Sequence, residues 1–151
     1  MGCRTGVVPR AILDTSVLFA AAYRRDAAHR DGLAILWGID DGTMPEGVVL
    51  DYVLAETLNG LTSHAGHDAA VDFLDRLEEN ARFHFDAPTA DVRTAAKSIF
   101  RRHERLSFVD AALVAYADTE GLDYLYAFDS DFDAVNGVTR LASTTNPFDP
   151  E

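Results

Sequence analysis

Short apolar runs of strand length, separated by stretches with helical periodicity, constrain this chain more than any other feature. Ala11-Ile12-Leu13 stops abruptly at Asp14, and Val48-Val49-Leu50 stops at Asp51. Phe83-His84-Phe85 alternates, and Tyr124–Phe128 runs into the acidic turn Asp129-Ser130-Asp131. Val138–Leu141 reads as a last edge strand. Runs of this length with no polar face suit strands covered on both sides, and long helical crossovers join strands in parallel. The expected fold is α/β: one three-layer α/β/α sandwich with a mostly parallel central sheet.

The stretches between the runs carry their own signals. Val17–Tyr23 is apolar and is stopped by Arg24, Arg25 and Asp26. In His29–Ile39, Leu33, Leu36 and Trp37 fall at helical spacing, and Asp40-Asp41-Gly42 closes the helix. Asp51 is expected to cap a helix through Ser63 with a stripe of Leu54, Leu58 and Leu61, and Gly66 breaks the pattern. Asp68–Glu79 is amphipathic through Val71, Phe73, Leu74 and Leu77. Pro88 starts a long helix over Thr89–Arg105, followed by another over Ser107–Glu120 that Gly121 ends. Trp37, Phe73 and Phe100 fall on apolar stripes and are expected in the core.

The 151 residues, 48% of them hydrophobic, are enough for one domain with a substantial core. The domain is expected over residues 10–145, with residues 1–9 a loose leader and 146–151 a tail. Acids outnumber bases 25 to 13, giving a net charge of −12, and Lys97 is the sole lysine. An aspartate-rich, lysine-poor domain with ordinary apolar content resembles the salt-adapted proteins of halophiles, where high salt screens self-repulsion. An ordinary acidic domain is the other reading. Such a chain has no broad basic face for nucleic acid, so local arginines and bridging metal ions would carry any such contact. Cys3 is the only cysteine, which excludes an internal disulfide and a cysteine metal cluster. No segment approaches the ~20 apolar residues of a membrane span, and residues 1–9 lack the apolar core of a signal peptide. A cytoplasmic protein with no membrane contact is expected. The chain has neither a G-x-x-x-x-G-K-[ST] phosphate loop nor a G-x-S-x-G nucleophile turn, which argues against P-loop nucleotide hydrolysis and serine hydrolase chemistry.

Four acids stand out, each with two readings. Asp14 is a carboxylate presented at a strand end, where open α/β sheets bind ligands, or a helix cap. Glu56 sits beside the leucine stripe of its helix and alone reads as a surface residue. Asp110 lies in Phe108–Ala117, apolar nearly all round, on a face with Leu106, Leu113, Val114 and Ala117. A carboxylate there must be satisfied or metal-bound, although Ser107-Phe-Val-Asp110 also has capping-box spacing. Asp129, with Asp131 and Asp133 behind it, repeats the placement of Asp14 after a second strand or is an acidic surface turn. If the two strands are neighbours, the side chains converge. Carboxylates gathered this way repel one another unless a cation joins them. Mg2+ or Mn2+, hard ions that take oxygen ligands, suit such a site and can drive in-line attack on phosphorus.

The order Ala11-Ile-Leu-Asp14-Thr-Ser16, Leu54-Ala-Glu56-Thr-Leu58, Leu106-Ser107-Phe-Val-Asp110-Ala-Ala112 and Ala127-Phe-Asp129-Ser-Asp131-Phe132 resembles the PIN-domain ribonucleases, most closely the VapC-type toxins. The resemblance runs from Arg10 to about Leu141. It implies a Mg2+- or Mn2+-dependent endoribonuclease acting on RNA, usually a homodimer, with a small antitoxin as partner. It also implies that Asp14, Glu56, Asp110 and Asp129 are catalytic metal-binding acids, that Ser16 and Ser107 orient carboxylates, and that Asp131 is a secondary acid. A stand-alone RNA-processing nuclease and a non-catalytic PIN-like binding module are the alternatives. A phospho-signalling receiver is disfavoured, because Lys97 lies on a predicted helix rather than at a strand end.

The densest basic cluster is Arg101-Arg102-His103-Glu104-Arg105, just before the helix of Asp110. Arg101, Arg102 and Arg105 are candidate RNA contacts or a solvated helix end, and Arg24 and Arg25 carry the same two readings. His64 and His67 read as loop residues around Gly66 rather than paired metal ligands.

Overall fold

A computed structural model describes residues 8–149; Cys3, with the rest of residues 1–7, and residues 150–151 lie outside the described residues. The apolar runs become five strands: β1 (Arg10–Leu13), β2 (Glu46–Leu50), β3 (Phe83–Asp86), β4 (Tyr124–Tyr126) and β5 (Thr139–Leu141). They form one sheet in the order β3-β2-β1-β4-β5. Every pairing is parallel, so the expectation of a mostly parallel sheet holds in its strictest form.

The helices are α1 (Thr15–Ala22), α2 (His29–Asp41), α3 (Asp51–Ala65), α4 (His67–Glu79), α5 (Ala90–Arg102) and α6 (Phe108–Glu120). Helical crossovers or helix pairs join β1 to β2, β2 to β3 and β3 to β4, and helices clothe the sheet. β1 is the middle strand, with Ile12 beside Val48 on one side and Leu125 on the other. Its Ala11, Ile12 and Leu13 are wholly buried; truncating such a leucine to alanine typically costs about 2–5 kcal/mol. The apolar segment of α6 is buried continuously from Ala111 to Ala117, as a helix without a polar face requires.

This strand order locates the crevice. The chain builds outward from β1 to β2 and β3, then returns to the other side of β1 for β4 and β5. Crossovers on the two sides diverge where the order reverses, so a cleft opens at the C-terminal ends of β1 and β4. Asp14 and Asp129 follow those two strands.

Several local expectations are corrected. Leu50, not Asp51, is the N-cap of α3; it has no side-chain cap bond, and Asp51 lies inside the first turn. The buried stripe of α3 is Val53, Thr57 and Leu61 rather than Leu54, Leu58 and Leu61. The helix turns its β-branched residues inward, and the Thr57 hydroxyl is buried without a hydrogen-bond partner. α5 stops at Arg102, capped at the start by the Thr89 side chain, which accepts from Val92 N–H at 3.2 Å. His64 lies in the last turn of α3 and His67 opens α4; the break at Gly66, φ 101°, is a single residue wide. Trp37 and Phe100 are not core: they are 63% and 46% exposed, because each lies at the outer rim of its helix's apolar stripe. Beyond β5, the Asn146 amide donates to the Thr43 carbonyl at 2.9 Å and the Phe148 ring meets Tyr124 edge-on, so residues 146–148 lie back against the domain.

Candidate metal centre

Asp14 leaves β1 with its own N–H bonded to the Tyr126 carbonyl at 3.0 Å, so the β1–β4 ladder extends one residue beyond the strand. Its Oδ2 accepts the Ser16 backbone N–H at 3.1 Å and the Ser16 hydroxyl at 2.6 Å. Ser16 Oγ in turn accepts the Phe128 N–H at 3.0 Å. One hydroxyl therefore joins the ends of both strands and fixes the carboxylate between them. Both readings of Asp14 hold at once: it caps α1, and it is a strand-end carboxylate only 5% exposed. Burial pushes its carboxyl up from the ordinary range, the Ser16 bonds oppose this, and Asp129 adds repulsion.

Asp110 is likewise both things. The capping box is complete: the Asp110 N–H donates to Ser107 Oγ at 3.1 Å, and Asp110 Oδ2 accepts the Ser107 N–H at 3.2 Å. Yet its carboxyl is pushed up to about 6, chiefly by burial, with further repulsion from Asp14 and Asp129, against the lowering effect of the Ser107 bonds. A residue serving only as a cap, whose carboxylate the helix dipole favours, would be pulled the other way.

Asp129 caps a short 3-10 helix, Ser130–Ala134, its Oδ1 accepting the Asp131 N–H at 2.9 Å. Asp131 is half-buried and bonds Asp129 through its backbone. Glu56, on the exposed side of α3, accepts the Thr15 hydroxyl on Oε1 at 2.7 Å, which ties it to the residue after Asp14. Asp14, Asp110 and Asp129 thus gather from the residue after β1, the first turn of α6 and the turn after β4, and Glu56 on α3 is linked to them through Thr15.

Among the described residues, no three acids, histidines or cysteines are drawn tightly enough to grip an ion by themselves. Mg2+ is usually held by one or two carboxylates while keeping several waters, and takes the rest of its shell from substrate phosphate. A desolvated Asp14 and a strained Asp110, with no cationic partner among the described residues, form an all-oxygen donor set whose repulsion a hard divalent ion would relieve. The residues fit such an ion.

Arg101, Arg102 and Arg105 are exposed on the end of α5 and the turn that leads to Ser107, so they border the Asp110 side of the centre in the chain. Arg102 spends one amino group on Ser98 Oγ at 2.9 Å. Sequence reasoning missed Thr15 as the partner of Glu56, and missed Arg140 altogether. Arg140, on β5, binds Asp133 with two nitrogens at 3.0 and 3.1 Å and donates to the Ala127 carbonyl at 3.2 Å. The Asp133 bonds hold the guanidinium strongly charged, and Asp129 contributes to the same field. The strand pairing Leu125↔Arg140 brings it there, and no local pattern announces it.

Comparison with known proteins bears on the family and the fold. Residues 11–138 match the model of the PIN domain. The chain is 34% identical over 129 residues to the 23S rRNA-specific endonuclease VapC20 of Mycobacterium tuberculosis, covering 83% of this chain and 94% of that one. The crystal structure of M. tuberculosis VapC20, described as a sarcin-ricin loop cleaving toxin, superposes with a TM-score of 0.72 at 30% identity, covering 85% of this chain and 96% of that one. A toxin–antitoxin complex from Klebsiella pneumoniae shares the fold, with a TM-score of 0.61 at 18% identity over 85% of this chain and 95% of the other.

Proposed function

Since the chain belongs to the PIN-domain family and is VapC-like in sequence and fold, we propose that it is a Mg2+- or Mn2+-dependent endoribonuclease, the toxin of a toxin–antitoxin pair. The observation that carries the proposal is the buried Asp14 sharing its field with Asp110 and Asp129 at the cleft between β1 and β4. Asp14, Glu56, Asp110 and Asp129 would hold the ion. When bound, it would supply a hydroxide at neutral pH and stabilise charge developing on the phosphoryl oxygens.

The chain's own residues supply the positioning. Ser16 locks the Asp14 carboxylate against the ends of both strands, and Ser107 holds one oxygen of Asp110 while its other oxygen stays available. Thr15 orients Glu56 from the exposed side. Asp131 braces Asp129 through the backbone of the short 3-10 helix. Arg101, Arg102 and Arg105, which precede Asp110's helix in the chain, would meet phosphates of the entering RNA, a task that bidentate guanidinium contacts suit.

The relative's 23S rRNA target makes a structured ribosomal loop the first substrate to try. The toxin–antitoxin complexes among structural relatives support a small antitoxin partner, and a homodimer is proposed as the working unit. No helix among the described residues is long and apolar enough to cross a membrane, which fits a proposed cytoplasmic location. The aspartate-rich, lysine-poor composition suits a salt-adapted protein, so assays belong in concentrated KCl as well as dilute buffer.

Incubation with a ribosomal RNA fragment and Mg2+ or Mn2+ tests the activity directly. Wild-type protein should cut it, while Asp14→Asn and Asp110→Asn should not cut and should keep the wild-type circular dichroism spectrum. Undiminished cleavage by both variants would overturn the proposal. A short open reading frame beside this one, whose product blocks cleavage, would distinguish a toxin from a stand-alone RNA-processing nuclease.

A further inference from the structure

We propose that a hollow at the far end of the α1–α3 seam, lined by Tyr23, Arg24, Arg25 and His64, is a phosphate-binding subsite for the RNA strand that enters the acidic centre. The inference rests on the ribonuclease reading, and it adds a binding register to it. The hollow encloses about 460 Å3.

The seam is drawn by residues four apart on each helix. At its near end Thr15 bonds Glu56 at 2.7 Å. In the middle, a Cβ on Gly60 would stand 3.1 Å from the Phe19 ring, so the helices close tightly there. At the far end the Tyr23 and His64 rings lie 5.5 Å apart, both in contact with Phe19. Thr15, Phe19 and Tyr23 share one face of α1, as Glu56, Gly60 and His64 share one face of α3. The eight-residue step from Thr15 to Tyr23 spans about 12 Å of helix, a few nucleotide steps from the acidic centre.

The lining is cationic in a chain whose net charge is −12. Arg24 and Arg25 are exposed and, among the described residues, have no carboxylate partner, unlike Arg10, Arg76, Arg82 and Arg140. The neighbouring Asp26 is turned to the Ala28 N–H at 2.8 Å and leaves them uncompensated. His64 Nδ1 lies 2.9 Å from the Gly60 carbonyl, which can only accept, so the proton sits on Nδ1 and the ring gives the hollow an aromatic wall rather than a donor. Two guanidinium forks match a phosphate, and the tyrosine and imidazole rings match an adjoining base. The seam's continuity with the acidic centre favours a nucleic-acid strand over an acidic peptide, because the same ligand must reach both ends.

The test compares wild-type protein with R24A/R25A and with R76A/R93A, which removes equal charge from α4 and α5. On a long single-stranded RNA, R24A/R25A should raise KM about tenfold with kcat nearly unchanged. The slope of log affinity against log salt should fall by about 0.7, the value for one lost phosphate contact on a single strand. On an oligonucleotide too short to reach the hollow, both variants should match wild type. An unchanged KM and salt slope, an equal effect in R76A/R93A, or an equal effect on short and long RNA would overturn the subsite. So would a loss confined to binding of a protein partner. Anisotropy of labelled RNA in the presence of a chelator reads the subsite without cleavage. Failure of wild-type protein to cut RNA therefore counts against the proposed function, and anisotropy unchanged in R24A/R25A counts against the subsite.

Discussion

At the N-terminal edge of the sheet Glu46, the first residue of β2, is ringed by bases, whereas at the C-terminal edge Asp14, Asp110 and Asp129 face one another. His84 Nε2 binds Glu46 Oε1, Arg82 reaches Oε2 at 3.4 Å, and Arg10 stands 4.0 Å away. Arg82 also donates to the Ile39 and Met44 carbonyls, so the group ties the end of α2 to the start of β2. The Glu46 side chain is 15% exposed, and its carboxylate is answered from within the fold. Asp14 and Asp110 at the other edge have hydroxyls and backbone amides for company and no bonded cation, Arg140 reaching only the field of Asp129, and both carboxyls are pushed up. A carboxylate answered by internal bases marks the first edge as architecture; retained repulsion marks the second as a place where a ligand completes the charge balance.

The largest test sets Asp14→Asn against Glu46→Gln. The first should cut RNA cleavage by about a thousandfold or more, the scale of losing one of several cooperating groups, with the unfolding midpoint unchanged or raised. The second should leave cleavage within about twofold and cost about 1–3 kcal/mol in a urea titration, because a partly buried arginine loses its counter-charge. If both lose activity, the division between the two edges fails.

Metal addition sharpens the contrast next. Saturating Mg2+ or Mn2+, at about 100 times its Kd, should stabilise the wild-type protein by about 2.7 kcal/mol. Calorimetric scans should show the same gain in Glu46→Gln and none in the Asp14→Asn/Asp110→Asn double variant.

A smaller effect concerns pH in metal-free protein. The Asp110 carboxyl lies at about 6 in the fold against 3.8 as its reference value, so its charged form costs stability. Its contribution is fully present below pH 3.8 and is lost as pH rises through 6. Asp110→Asn should therefore be more stable than wild type at pH 7, by on the order of 1 kcal/mol after allowing for solvent screening. That advantage should vanish near pH 4. An advantage that grew on acidification would reverse the sign of the argument.

The smallest effect is expected from Thr15→Val, which frees Glu56. A few-fold loss in cleavage rate and about 0.5 kcal/mol in stability are the expected readouts.

The sheet was legible because buried parallel strands are apolar on both faces, and the runs at Ala11–Leu13 and Val48–Leu50 could be little else. Asp14, Asp110 and Asp129 were legible because a carboxylate at a strand end, or in an apolar helix, needs an explanation. The inward face of α3 was not, since Thr57 and Val53 displaced leucines that the helical period alone would have buried. Trp37 and Phe100 misled for a related reason: a stripe says which side of a helix is apolar, and packing against neighbours decides where coverage stops. Arg140 was beyond reach, because only the pairing of β4 with β5 carries it to the cleft.

The bond from Phe128 N–H to Ser16 Oγ joins residues 112 apart in the chain, and that distance has a consequence in time. During synthesis Asp14 emerges early, yet β1 lacks its β4 neighbour until residues beyond Tyr126 have followed. Contacts of such separation form late, after the intervening helices have shortened the loop between them. A product stopped before β4 keeps Asp14, Glu56 and Asp110 and still lacks the strand that fixes Asp14. A chain still short of β4 thus lacks the contact that fixes Asp14, so the proposed cleavage would begin only near the end of translation.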